Sequence, residues 1–209
     1  MLSLGYGFFN GQNNYGQEEL ARYFSNIYEN GVNVTDSDMG MKVTRYSSTS
    51  LRVAIGFAII NGYYLYQDVT KSITISKNAT YDRIDRVVVR LDVSNMKVSI
   101  ELKQGTASSK PTAPALTRTT SVYELSLAQI YVSAANGITT VTDERYNENL
   151  CGAIRPKNLT EFNAMMTGFN SRFDTWFEQQ QGEGWRNIYI QSTVPSDAIE
   201  GAIWKQVLS

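Results

Sequence analysis

The run 80–92 constrains the fold most, because apolar and charged side chains alternate along it with a period of two. The residues on its apolar face are Val87, Val89 and Leu91. The residues on its other face are Arg86, Val88, Arg90 and Asp92. Successive side chains of a strand point to opposite faces, so the pattern predicts a strand with one buried face and one polar, solvent-facing face. The alternation resumes in 96–103 after Ser94-Asn95, and the two runs together predict a β-hairpin.

Further strand-like runs surround this hairpin. They are 41–45, 51–55, 57–60, 63–66, 72–76, 123–132 and 138–142. Asn61-Gly62 joins two of them and favours the positive φ angles of a type I′ turn. The stretch 104–120 is polar and contains two prolines, which predicts an exposed loop that carries little core. Short strands at this spacing indicate an antiparallel β-sandwich over residues 32–152.

Helical patterns flank the predicted sandwich. A short helix is predicted over 17–29, and the segment before it is rich in glycine and aromatic residues. The candidate docking residues of this arm are Tyr6, Phe8 and Phe9. A longer amphipathic helix is predicted to open at a capping box formed by Asn158 and Glu161, and two strand-like pieces after it predict a small C-terminal β-hairpin. The fold class is therefore mainly β, with the organisation 1–31, 32–152, 153–182 and 183–209.

The longer helix carries a heptad pattern. Its apolar seam, in steps of four and three residues, consists of Phe162, Met166, Phe169, Phe173 and Trp176. Met165 and Phe177 widen the seam. Such a pattern predicts an interface between helices, and packing of the same stripe on the protein's own sheet is an equal alternative. Gly168 weakens a helix interior and is a candidate for close approach of a second helix.

Composition removes several kinds of chemistry. The 209 residues include no histidine, one cysteine, and a formal net charge of −1. Histidine is the usual general base and metal ligand, so we expect no enzymatic activity, metal site or cofactor. Nucleic-acid binding needs clustered Lys and Arg, which are missing, and no apolar run is long enough to insert into a membrane. Cys151 is expected to be a small buried apolar residue.

Carboxylates offer the remaining catalytic hypothesis. The candidates are Asp36, Asp38, Asp82, Asp85 and Asp92. A glycosidase places two carboxylates across an aromatic groove, and Asp36-Ser37-Asp38 also supplies oxygen ligands of the kind that Ca²⁺ prefers. The last three are expected to lie at strand ends or on a solvent-facing surface. We therefore favour structural roles for all five.

An ordered set of segments resembles baseplate and tail-tip proteins of phages that infect Gram-positive bacteria. The segments are Gly7-Phe8-Phe9-Asn10, Leu20-Ala21-Arg22-Tyr23-Phe24, Gly56-Phe57-Ala58-Ile59-Ile60-Asn61-Gly62-Tyr63-Tyr64, Asp82-Arg83-Ile84-Asp85-Arg86-Val87-Val88-Val89-Arg90-Leu91-Asp92, Lys103-Gln104-Gly105, Pro114-Ala115-Leu116-Thr117-Arg118, Tyr123-Glu124-Leu125-Ser126-Leu127-Ala128 and Thr142-Asp143-Glu144-Arg145. They span roughly residues 7–152. This region resembles the shoulder domain at the start of lactococcal phage receptor-binding and upper-baseplate proteins.

The resemblance implies a β-sandwich attachment module without enzymatic activity, assembled in the bacterial cytoplasm and carried in the virion tail. Its implied partners are other tail or baseplate proteins and further copies of the chain. Among homo-oligomers, the resemblance favours a trimer. Few residues follow the helix, which favours an adaptor over a complete receptor-binding protein. The alternative is a module for host cell-wall saccharide that uses the aromatic side chains Tyr63, Tyr64 and Tyr66.

Overall fold

A computed structural model describes residues 16–77, 80–182, 188–196 and 201–207. The candidate arm residues Tyr6, Phe8 and Phe9 lie outside these ranges. The chain divides into two compact units, 1–157 and 158–209. The fold is mainly β, with antiparallel sheets, a short N-terminal helix, one long helix and a C-terminal strand pair. None of the described helices is both long and apolar enough to cross a membrane.

The first unit contains one helix and ten strands within the described ranges. They are α1 (Gln17–Ile27), β1 (Gly31–Val32), β2 (Val43–Arg45), β3 (Ser50–Val53), β4 (Gly56–Ile60), β5 (Tyr63–Gln67), β6 (Lys71–Thr74), β7 (Arg83–Asp92), β8 (Lys97–Lys103), β9 (Val122–Ser133) and β10 (Gly137–Asp143). The second unit contains α2 (Lys157–Gly182), whose first residue closes the first unit, and the strands β11 (Ile188–Gln191) and β12 (Ile203–Gln206).

Three antiparallel sheets share one hydrophobic core in the first unit. Their strand orders are β1-β4-β5, β2-β3-β6 and β10-β9-β7-β8. The predicted apolar face of β7 is confirmed, since Val87, Val89 and Leu91 are all at most 2% exposed and belong to the core. Leu125, Leu127 and Ile130 of the neighbouring β9 lie in the same core. The alternating runs 80–92 and 123–132 therefore form β7 and β9, the central pair of the four-stranded sheet.

The β4–β5 hairpin also forms as predicted. Asn61 and Gly62 have φ angles of 50° and 81°, as a type I′ turn requires. Gly62 is needed for a second reason, because a Cβ there would lie 1.8 Å from the carbonyl oxygen of Ala21 in α1. Ala21 is the buried residue through which α1 packs on the unit. The turn therefore fixes the position of α1.

Replacing Gly62 with Ala should lower the free energy of unfolding by about 2 kcal/mol, since it adds left-handed strain to a backbone clash with α1. The matched control is Gly168→Ala in α2, where an added Cβ meets nothing within 4 Å. That change should stabilise the helix by about 1 kcal/mol. Urea unfolding measures the change in the free energy of unfolding for both variants. Equal changes for the two substitutions would contradict this role for Gly62.

The prediction that the second face of β7 lies in solvent is wrong. Arg86 is 7% exposed and Val88 1%, and Asp85, which had been expected near solvent, is fully buried. The stretch 104–120 is the reason. It crosses β7 instead of standing free in solvent, so both faces of this strand are covered.

Four backbone contacts hold 104–120 against the sheet. The Gly105 amide donates to Asp85 Oδ1 at 2.9 Å, and the Ser108 amide donates to the carbonyl oxygen of Asp82 at 3.0 Å. The Pro114 carbonyl accepts from Arg86 Nη1 at 2.8 Å, and the Thr117 amide donates to a carboxylate of β9 at 2.6 Å. The loop therefore acts as a cover whose polar backbone finds charged partners, in place of the free exposed loop that its composition predicted.

The C-terminal strands of the second unit are present, but they do not form a hairpin in the strict sense. Ile188 pairs with Ile203 and Gln191 with Gln206, in a parallel register. A hairpin would have brought the strands together in antiparallel directions. The Trp204 indole donates to the Gln191 carbonyl oxygen at 3.1 Å and adds a side-chain contact to the pair.

Candidate functional site

Among the described residues of the first unit, Arg145 is the buried side chain that makes the most hydrogen bonds. Its Nε donates to Asp143 Oδ1 at 2.9 Å, and its Nη2 donates to Asp143 Oδ2 at 2.6 Å and to Asp38 Oδ1 at 3.0 Å. Its Nη1 donates to the backbone carbonyls of Met39 and Gly40. The guanidinium is fully buried and joins the end of β10 to the loop before β2. We call this set of contacts the Arg145 clamp.

Asp38 was a candidate calcium ligand, and the clamp places other groups on its oxygens. Tyr146 donates its hydroxyl to Oδ1 at 2.7 Å, and Lys42 Nζ donates to Oδ2 at 2.8 Å. The hydrogen bond from Lys42 holds the pKa of Asp38 well below its usual range. Asp36, the other member of the pair, is exposed. In the described ranges no three metal-ligating side chains come together.

Charged side chains also form a network on the covered face of β7. Glu144 lies between Arg86, Ser126 and Gln129, with Arg86 Nη2 donating to its Oε1 at 3.3 Å. Arg86 Nε lies 3.2 Å from the other oxygen of Glu144, without the geometry of a hydrogen bond. Within the run Thr142-Asp143-Glu144-Arg145, Asp143 and Arg145 belong to the clamp, and Glu144 belongs to this network.

Glu124 of β9 organises the second half of the network. It is fully buried and accepts from Arg90 Nη1 at 2.7 Å, from Lys103 Nζ at 2.6 Å and from the Thr117 amide at 2.6 Å. Burial opposes ionisation of the carboxyl, but the Lys103 and Thr117 hydrogen bonds outweigh it, and the pKa of Glu124 is lowered. The carboxylate therefore ties three segments together: β7, β8 and the covering loop.

We expect acid to loosen this network. A carboxyl whose pKa is lowered by folding contributes stability above its unfolded pKa, about 4.3 for Glu, and loses it as pH falls through the folded value. The free energy of unfolding should therefore decline as pH falls below about 4. Urea midpoints measured across this range should fall less steeply for Glu124→Gln than for the unchanged protein. Parallel curves would show that Glu124 is not the group responsible.

The other carboxylates that suggested catalysis have structural partners. Asp82 accepts from the Tyr131 hydroxyl at 2.6 Å and from the Ala134 amide at 2.8 Å. Asp85 accepts from Arg83 Nε at 2.8 Å. Asp92 accepts from the amide and the side chain of Asn95 in the β7–β8 turn. These oxygens are engaged in holding strand ends and turns.

The helix α2 presents its apolar seam as an exposed stripe. The side chains of the α2 seam, with their exposed fractions, are Leu159 (41%), Phe162 (52%), Met166 (38%), Phe169 (61%), Phe173 (49%) and Trp176 (48%). Leu159 precedes Phe162 by three residues, so the pattern begins one step earlier than the sequence had suggested. Phe173 contacts Phe169, Trp176 and Phe177, with ring centroids 5.8–6.4 Å apart. Met165 and Phe177 are also exposed.

A second exposed aromatic surface lies on the β4–β5 hairpin. Tyr64 and Tyr66 are each 67% exposed, whereas Tyr63 points inward. The ring of Phe57 stacks on Tyr64 with centroids 5.7 Å apart. An open groove of about 490 Å³ lies beside them and includes Phe24 of α1. We call Phe57, Tyr64 and Tyr66 the aromatic shelf. The shelf includes Tyr64 and Tyr66 of the predicted saccharide surface, but not Tyr63.

Cys151 is buried, as expected. It is 3% exposed, and burial raises the pKa of its thiol to about 12. A thiol with so high a pKa is almost entirely protonated near neutral pH, so it is a poor nucleophile. Cys151 therefore behaves as a packing residue.

Part of this chain has a weak structural likeness to a phage protein. No family model matches the chain, and no curated protein matches it. The crystal structure of the gene 22 product of the Bacillus subtilis phage SPP1 is similar over 56% of this chain and 80% of that one. The two are 12% identical, and their TM-score is 0.33. A likeness of this size does not assign the chain to a family.

Proposed function

We propose that this chain is a structural protein of a phage tail or baseplate, and that it works by protein–protein contact through the α2 seam. The observation that carries the proposal is the exposure of six large apolar side chains at heptad spacing along one helix. The ordered resemblance of residues 7–152 to baseplate and tail-tip proteins supports the virion setting. A second copy of the chain is the partner that such a seam fits best.

An apolar seam that faces water is unfavourable, and pairing two seams removes that cost. Full burial of a Leu, Met or Phe side chain contributes about 1.5–3 kcal/mol, so covering the exposed half contributes about 1 kcal/mol for each. Helices in water also depend on packing of an apolar face for most of their stability. The charged residues of the helix, among them Arg172, Asp174 and Glu178, lie off the seam. Two copies can therefore bring their seams together without opposing like charges.

The first unit suits the role of an attachment platform. The Arg145 clamp and the Glu124 network connect loops to sheets through ion pairs in which one partner is fully buried. Buried ion pairs fix geometry, because each partner is left without compensation if the arrangement shifts. A platform of this kind holds a docking surface in one shape when load passes through it. We expect no catalytic activity, so a zymogram on bacterial walls should show no clearing.

Antibody labelling of virions, viewed by negative-stain microscopy, tests the tail location. We expect label at the tail end of virions of the phage that encodes the chain. Label on capsids alone, or on no virions while the lysate contains the protein, would overturn the proposal. A matched serum raised against an unrelated phage protein sets the background.

The aromatic shelf favours a second candidate function, binding of host cell-wall saccharide. Tyrosine rings offer a flat apolar face beside a hydroxyl, and two such rings are exposed on one strand. Loss of sedimentation with Gram-positive walls in a Tyr64→Ala, Tyr66→Ala double variant would support it. Tyr46→Ala is the matched control, because Tyr46 is 63% exposed and follows a strand of a different sheet. Equal sedimentation of all three proteins would rule this function out.

A further inference from the structure

A polar depression in the first unit has no role in either proposal above. It measures about 300 Å³ and lies between the end of α1, the β4–β5 turn and the segments around Tyr123 and Glu148. Arg118 and Lys157 both line it, and all its residues lie within 1–157. The α2 seam and the aromatic shelf contribute no residue to it. It is therefore a separate candidate site.

Both cations in the depression lack an acidic partner. Neither Arg118 nor Lys157 forms an ion pair with any residue in the described part of the chain. Arg118 Nη2 donates to the carbonyl oxygen of Leu150 at 3.2 Å, and its guanidinium lies 5.3 Å from the centre of the Tyr123 ring. These contacts orient the guanidinium and leave its other nitrogens for a ligand. A positioned Arg with a Lys lining the same depression is a common arrangement for binding phosphate.

Neutral donors line the same depression. The hydroxyls of Tyr28 and Tyr123 bond to no group in the described ranges, and both side chains are half-buried. Asn61 also lines the depression, and its side-chain oxygen Oδ1 accepts from Asn30 Nδ2 at 3.0 Å, which leaves the Asn61 Nδ2 group as a further neutral donor. A tetrahedral oxyanion has enough acceptor oxygens to use two cations and several hydroxyls together. A single carboxylate would leave some of these donors unused.

The carboxylates of Glu29 and Glu148 line the depression and would repel an anion, but Arg155 forms ion pairs with both. Arg155 Nε lies 3.0 Å from Glu29 Oε2, and its Nη2 lies 2.9 Å from Glu148 Oε2. The hydrogen bond from Arg155 lowers the pKa of Glu148. When Arg155, which lies outside the lining, is counted with Arg118 and Lys157, three cations oppose two carboxylates and leave an excess positive charge. That excess is contributed by the unpaired Arg118 and Lys157.

We propose that this depression binds the phosphate group of a small ligand, either free phosphate or the phosphate ester of a short polyol or sugar. The buried side chains of Leu125 and Cys151 give it a small apolar lining, against which a short carbon skeleton can lie. Its volume is at the lower end of the range for ligand pockets, so a large ligand is excluded. The proposal does not depend on assembly through α2.

Calorimetric titration of the full chain with inorganic phosphate, glycerol phosphate and glycerol tests this site. We expect a phosphate-bearing probe to bind with a Kd on the order of 1 mM, and glycerol not to bind. The tighter of the two phosphate probes identifies the source of the group. Arg118→Gln and Lys157→Gln should each weaken binding at least about tenfold, which corresponds to about 1.4 kcal/mol. Added salt should weaken it too.

The matched control is Lys110→Gln, which removes an exposed lysine outside the depression and should leave the Kd unchanged. Thermal unfolding of each variant confirms that it folds, as expected for exposed side chains. The proposal is overturned if neither phosphate probe binds the unchanged chain. It is also overturned if the Arg118→Gln, Lys157→Gln double variant binds as tightly as the control.

Discussion

Replacing Arg145 with Met should lower the free energy of unfolding by about 3 kcal/mol, at the low end of the usual cost of breaking a buried ion pair, because Asp38 and Asp143 are 29% and 37% exposed. Methionine fills part of the space but offers no donor. Asp143 and the carbonyls of Met39 and Gly40 would then lose the group that satisfies them. Asp38 would keep its bonds to Lys42 and Tyr146. The penalty therefore falls on both ends of the clamp, at Asp143 at the end of β10 and at the two carbonyls before β2.

Chemical unfolding followed by fluorescence measures this change. Lys42→Met is the matched control, because it removes another cation from Asp38 at a site that is 53% exposed, where ion pairs contribute little. We expect the Lys42 variant to unfold close to the unchanged protein. Equal losses for the two variants would mean that the clamp is no stronger than a surface pair.

Phe169→Asp should have the largest effect on assembly. Phe169 is the most exposed side chain of the α2 seam and lies near its middle. A carboxylate there would have to be buried without a partner when two seams meet, which costs several kcal/mol. We expect the dissociation constant of the assembly to rise at least about 100-fold. Light scattering across a range of concentrations measures the shift.

Ser171→Asp gives the matched control for charge. Ser171 lies two residues further along α2, on the side of the helix away from the seam, and it is exposed. The same carboxylate at this position should leave the assembly intact. If both variants remain assembled, or if the unchanged protein is monomeric at every concentration, the seam is not the contact between copies.

Local patterns predicted much of the fold. The period-two alternation located β7, β8 and β9, because a strand that borders a core must repeat its apolar residues at that spacing. Asn61-Gly62 predicted its own φ angles, since few other pairs tolerate them. The heptad steps located the α2 seam, because residues three and four apart lie on one face of a helix. Each of these signals depends on residues that are close in the chain.

The charged contacts were not predictable in this way. Arg86 and Glu144 are 58 residues apart, and Arg145 lies 107 residues from Asp38. A charged residue in an alternating run predicts a solvent-facing side chain unless its partner is known. One signal was available in Asp143-Glu144-Arg145, three successive charged residues at the end of a strand, but it does not name their partners.

The sequence pattern also could not predict the relative direction of the two C-terminal strands. The residues of β11 and β12 have the composition of strands in either orientation. The two strands are separated by more residues than a short hairpin turn contains, so no turn chemistry in the sequence fixes an antiparallel return. The exposure of the seam likewise required the structure, because an apolar heptad stripe fits a buried helix equally well.

Whether the α2 helices of separate copies meet is tested most directly by a distance between spin labels at Ser171→Cys. The native Cys151 is 3% exposed and has a pKa of about 12, so the label should attach to the introduced cysteine. Paired helices lie 8–10 Å apart, and labels on their outer sides should then be about 20–35 Å apart. We predict one intermolecular distance in that range, which disappears when Phe169→Asp is added. The absence of any intermolecular distance in the otherwise unchanged protein, at every concentration, would contradict assembly through the α2 seam.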